Sequence, residues 1–180
     1  MARLPYLKRD EVAGDDRKFF DLAVTKPDAP GSRLFGILAY APNLMRRFGA
    51  FGNEILNKTQ LDPKLRELAI SMVGFLSRSN YEFTHHWNIS LQVGVQREQL
   101  EKLGEWESSA VFKDNERAVL RYAVEATRNV RVADSTFNAL RSFLDNRRIL
   151  ELVESVAFYN AVVRILEPMQ IEVEPSVKKG

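Results

Sequence analysis

The stretch DPKLRELAISMVGFLSRSNYEFTHHWNISLQVG, Asp62 to Gly94, decides the fold class. Asp62-Pro63 reads as a helix start: the aspartate can accept from first-turn amides that lack partners, and proline at the first helical position sacrifices no hydrogen bond. Leu65, Leu68, Met72, Phe75 and Leu76 then form one broad apolar face, predicting a helix to about Ser79. A second helix, Tyr81 to Gln92, stops at Val93-Gly94.

The same logic extends outward. Arg9 to about Thr25 reads as a short helix ending in Phe19–Val24. Lys26–Ser32, with Pro27, Pro30 and Gly31, breaks it into a loop. Leu34–Leu38 is a brief apolar turn, and Asn43, following Pro42, caps a helix striped by Leu44, Phe48, Phe51 and Ile55. Beyond Gly94 come a short helical turn, Arg97–Leu103, and helices opened by Asp114 and Asp134. A last helix, striped by Ile149, Val153, Val156, Asn160 and Val163, is ended by Pro168. No series of alternating strands appears. The expectation is an all-α chain of about six to eight helices, one domain over residues 1–180. Residues 1–33 form a helical extension and loop, and residues 168–180 include an extended arm.

The 180 residues carry 26 basic and 24 acidic side chains with the signs interspersed, which leaves no electrostatic footprint for nucleic acid. No run of about 18 apolar residues suggests a membrane span, and no signal-peptide pattern opens the chain, so a cytoplasmic protein is expected. The absence of cysteine excludes disulfides, thiolate nucleophiles and thiolate metal sites. P-loop, dinucleotide-binding, nucleophile-elbow and His-Glu-x-x-His patterns are all missing, and no cofactor is expected.

Both histidines of the chain are adjacent, His85 and His86, among Tyr81, Phe83 and Trp87. On a helix Glu82 and His86 share a face, while His85 points about 100° away with Tyr81 and Asn88. One helix earlier, Glu67, Ser71, Gly74 and Arg78 form a polar or small stripe where a ligand or another backbone can approach. A carboxylate facing a histidine across two antiparallel helices is a candidate acid–base pair. Taken singly, Glu67 reads as a solvated first-turn acid and Glu82–His86 as an exposed i,i+4 pair. The aromatics read as packing and Arg78 as a surface cation. Glu67, Glu82 and His86 lack a characteristic metal-ligand spacing.

Arg66–Ile70, Tyr81-Glu-Phe-Thr-His-His86, Ile89 and Val93–Leu100 together resemble the carboxymuconolactone decarboxylase family, in the alkylhydroperoxidase D-like group, with a weaker likeness from about Leu34 to Leu166. Redox members of that group carry Glu, eleven residues, Cys, two residues, Cys, three residues, His. Here Glu67 and His86 take the outer positions, and Ser79 and Glu82 stand where the thiols would be. Without thiols the peroxidase chemistry cannot operate, and the chain resembles the cysteine-less branch, with Phe83 in place of its tryptophan.

The resemblance implies a helical homotrimer or homohexamer acting without cofactor on a small carboxylated lactone or related ring compound. Glu67 and His86 would be the acid–base pair. Glu82 would tune His86 by accepting a hydrogen bond from its ring, with an exposed salt bridge and a metal ligand as the alternatives. Arg78, Ser79, Ser71 and His85 would line the substrate site. The other functions in view are a proton-transfer isomerase or hydratase, and a non-catalytic small-ligand-binding oligomer. In the last case the Glu67 and His86 surroundings would be packed shut.

Overall fold

The computed structural model describes residues 1–26 and 28–180, so Pro27, one of the two prolines expected to break the first helix, lies outside the described residues. The order is α1 (Arg17–Ala23), α2 (Ser32–Leu38), α3 (Pro42–Asn57), α4 (Pro63–Leu76), α5 (Asn80–Gln92), α6 (Arg97–Glu101), α7 (Asp114–Asn129), α8 (Asp134–Arg141) and α9 (Asn146–Met169). There is no strand among the described residues. The all-α reading holds. The additional helix is α2, expected only as an apolar turn: Gly31, at φ +87°, opens it, and Leu34, Gly36 and Ile37 are buried on its inner side.

α4 is the hub. Its start is as expected, with Asp62 accepting from the amide of Lys64 and Pro63 in the first turn. Every residue from Leu65 to Gly74 is buried, because α5, α7 and α9 enclose the helix. It ends at Leu76, earlier than expected. Arg78 adopts φ +53°, its amide bonds to Phe75 O, and that of Ser79 reaches Gly74 O, which closes the helix tightly. Ser79 thus becomes the N-cap of α5, its side chain accepting from the amide of Glu82.

Other cap assignments shift. Ala41, not Asn43, caps α3, because Pro42 already occupies the first turn. Asp114 and Asp134 sit inside their helices, behind Lys113 and Ala133, and act on the helix dipole. Pro168 does not end α9, which runs one residue further to Met169 and closes on Gln170 in the left-handed region. The arm after it carries no helix and folds back over α5.

Gly74 settles what the small residues of α4 are for. A Cβ there would lie 3.1 Å from the amide nitrogen of Phe83 and 3.3 Å from its Cα, so the approaching group is the backbone of α5 and not a ligand. Ser71 is likewise sealed, 3.0 Å from the hydroxyl of Ser90 across the same interface. Gly74→Ala is expected to destabilise the fold by about 1–3 kcal/mol, since backbone must yield. An unchanged denaturant midpoint would show that α4 and α5 can part without cost.

Candidate functional site

α4 and α5 bring Glu67, His86 and Glu82 into one buried line. His86 Nδ1 donates to Glu67 Oε2 at 2.6 Å, and its Nε2 lies 3.1 Å from Glu82 Oε1. The second contact is too poorly aligned to be a hydrogen bond, and Glu82 Oε1 has no hydrogen-bond partner among the described residues. Glu67 is 0% exposed, Glu82 3% and His86 5%. The reading of Glu67 as a solvated acid and of Glu82–His86 as an exposed pair therefore fails: α4 is enclosed on all sides, and α5 turns this face inward. Orienting the ring belongs to Glu67, and Glu82 acts on His86 through charge alone.

Two further residues complete the cluster. Arg66, 5% exposed, donates from Nε to Glu67 Oε1 at 3.1 Å and reaches Thr59 Oγ1 through Nη1. Tyr159, from α9, sets its ring against that of His86 at 4.6 Å, edge to face. Neither was singled out from the sequence. Arg66 was findable: α4 is apolar almost all round, and a charged residue inside such a helix has nowhere to go but a buried partner. Tyr159 had no comparable signal.

Electrostatics follows from burial and neighbours. Burial pushes the Glu82 carboxyl up, the Glu67 charge adds to the rise, and only the histidines oppose it. Burial alone would push His86 down, but the charges of Glu67 and Glu82 overcome it and hold the imidazole above its ordinary value. With Nδ1–H committed to Glu67, His86 Nε2 and Glu82 Oε1 lie 3.1 Å apart without a hydrogen bond, and one proton resides on either group, as imidazolium with carboxylate or imidazole with carboxylic acid.

Both shifts are upward, so both groups favour the folded state when protonated. That contribution is complete below their unfolded values and is lost as pH rises through the raised folded ones. Glu82→Gln is expected to lower the titration midpoint of His86, read by NMR, because one of the two charges holding it up is gone. An unchanged midpoint would mean the groups are uncoupled.

The remaining expected residues are placed elsewhere. His85 points away from the cluster, as the helix spacing foretold, and donates from Nε2 to Glu174 of the arm at 2.7 Å. Arg78 is exposed and, with Gly74, Phe75, Ser79, Asn80 and Phe83, lines a shallow cleft of about 220 Å³ on the far side of the Gly74 contact. The structure thus separates Ser71 and His85 from any surface shared with His86, and leaves Ser79 and Arg78 at this cleft. A metal shared by Glu67, Glu82 and His86 does not suit the donors: the carboxylates face opposite nitrogens of one ring, so the three cannot converge on one ion as placed.

The sequence profile described as the carboxymuconolactone decarboxylase family matches residues 42–125, the span from α3 through most of α7 that holds Glu67, Glu82 and His86. The likeness to that family is confined to this segment, somewhat under half of the chain. No curated protein matches the chain by sequence. Among solved structures, the chain resembles a peroxidase-related protein of Ralstonia eutropha JMP134, described as an alkylhydroperoxidase AhpD core. The two share 18% identity over 97% of this chain and 93% of that one, at TM-score 0.82. A peroxidase-related protein of Silicibacter sp. TM1040 gives 18%, 99%, 93% and 0.81. A cysteine-to-alanine variant of the debrominase Bmp8, in complex with 2,3,4-tribromopyrrole, gives 15%, 97%, 95% and 0.78. At these identities the likeness establishes the fold. This chain has no cysteine at all.

Proposed function

We propose that the protein is a cofactor-independent acid–base enzyme acting on a small carboxylated lactone or related ring compound. The observation that carries this reading is the buried line Glu67–His86–Glu82, in which an imidazole is held by one carboxylate and faces a second whose oxygen has no hydrogen bond among the described residues. A buried charged cluster with an unpaired oxygen is a poor device for stability, and its shifted protonation is what proton transfer requires. In decarboxylation the carbon–carbon bond to the carboxylate breaks, carbon dioxide leaves, and the electron pair passes into the lactone carbonyl as an enolate. The proton carried by His86 Nε2 then goes to carbon. Glu67 fixes the tautomer and steadies the imidazolium.

A proton-transfer isomerase or hydratase would use the same residues, and release of carbon dioxide from a panel of carboxylated lactones distinguishes the two. No release, with isomer or hydrate formed instead, replaces the decarboxylase reading. The closure of the cluster favours a second function, a non-catalytic ligand-binding oligomer. That reading gains if no panel compound turns over while one protects the chain against thermal unfolding.

The bound debrominase neighbour shows that a related fold holds a small ring compound. Cytoplasmic residence accords with the absence of any described helix long and apolar enough to cross a membrane. Self-association as a trimer or hexamer is part of the same proposal. Light scattering is expected to return three or six times the chain mass, and a monomer at micromolar concentration removes this part.

A further inference from the structure

The first two turns of α5 carry two interleaved pairs. Glu82 and His86 face inward to Glu67. Tyr81 and His85, each one residue earlier, face outward and stack on one another with ring centroids 4.4 Å apart. Both meet the same group, Glu174 of the C-terminal arm. Its Oε1 accepts from the Tyr81 hydroxyl at 2.8 Å and from the amide of Arg33 at 2.9 Å, and its Oε2 accepts from His85 at 2.7 Å. Glu174 is 1% exposed, and His85 with the backbone amide of Arg33 holds its carboxyl below the ordinary range despite burial.

The arm continues along α5. Lys178 O accepts from the Asn88 side chain at 2.8 Å, Gly180 N donates to Asn88 Oδ1 at 2.9 Å, and the Lys179 ammonium lies 4.4 Å from the centre of the Phe83 ring.

We propose that Glu174 is a positioning residue for the Glu67–His86–Glu82 line, acting by fixing the rotation of α5 about its own axis. The inference rests on the acid–base reading above. On a helix, successive side chains diverge by about 100°, so clamping Tyr81 and His85 from outside sets the direction in which Glu82 and His86 point inside. A rotation of about 20° moves an atom at side-chain radius, about 5 Å, by about 2 Å, enough to break the bond from His86 to Glu67. Packing of α5 on α4 limits sliding along the interface. Glu174 adds a charged, three-donor anchor on the opposite side and ties it to α2 through Arg33.

The test uses the full chain and NMR titration of both imidazoles, with turnover measured separately. The charged groups facing His86 are Glu67 and Glu82, with Arg66 beyond Glu67 and the Tyr159 ring against it. Loosening α5 weakens the net rise those groups produce. In Glu174→Ala the His86 midpoint is expected to fall toward its ordinary value. Glu174→Gln, which keeps an acceptor for Tyr81 and Arg33, is expected to restore most of it.

A folded Glu174→Ala protein with the wild-type His86 titration overturns the proposal. If that variant does not fold, Tyr81→Phe removes one of the two anchors on α5 and must shift His86 in the same direction; no shift overturns the proposal equally. A shifted His86 in a chain that turns over no substrate supports the positioning role and counts only against the enzymatic reading.

Discussion

Replacing His86 with alanine is expected to lower kcat by about 10²- to 10⁴-fold, the range that positioned proton transfer contributes. The loss should fall on kcat more than on KM, because the imidazole acts on the developing carbanion and the substrate carboxylate is held elsewhere. Glu67→Gln keeps an acceptor for Nδ1–H but removes the charge that steadies the imidazolium, so its loss should be smaller. Its rate should also fall away at lower pH than in the wild type. The sign follows from the upward shift of His86: the protonating species exists below the raised midpoint and is lost as pH rises through it. Full turnover in both variants on an identified substrate would end this assignment of roles.

The second large effect is on stability. Glu67→Ala is expected to cost about 3–5 kcal/mol, the usual penalty for stranding a buried charge. Among the described residues Arg66 would keep only its contact with Thr59, and His86 would lose its only hydrogen bond. Simple truncation of a solvated acid would cost a few tenths of a kcal/mol, so the size of the loss decides between the two views of this residue. Removing Arg66 together with Glu67, as Arg66→Met with Glu67→Leu, should cost less than Glu67→Ala alone, because an apolar pair suits the enclosed helix better than an orphaned guanidinium. Chemical denaturation of the three proteins at one pH is the measurement. Equal losses in the single and double variants would show that the penalty comes from packing alone.

α4 and α5 were legible in the sequence because their signals are local: Asp62-Pro63 at one end, Gly94 at the other and helical spacing between. Glu67 and His86 were legible because a resemblance supplied their separation; from composition alone each would pass as a surface residue. The continuous apolar run through α4 shows in retrospect that no side of it meets water, which buries Glu67 and Arg66 together. Tyr159 and Glu174 were not legible. They lie far along the chain from His86 and His85, and which helix face or arm residue arrives there is set by how α9 crosses the hub and where the chain turns at Gln170. Neither choice has a local signature.

The enclosure of α4 has a consequence for hydrogen exchange. Amides between Glu67 and Gly74 are hydrogen-bonded within a helix that other helices cover on every side, so no partial opening of the molecule reaches them, and they trade protons for deuterons only when the whole chain unfolds. The arm, held to α5 by side-chain contacts and without helical bonds of its own, can open alone and exchange orders of magnitude faster. Glu67 is thus carried on the slowest-exchanging part of the protein, while Glu174 is carried on a segment tied down by its own side chain.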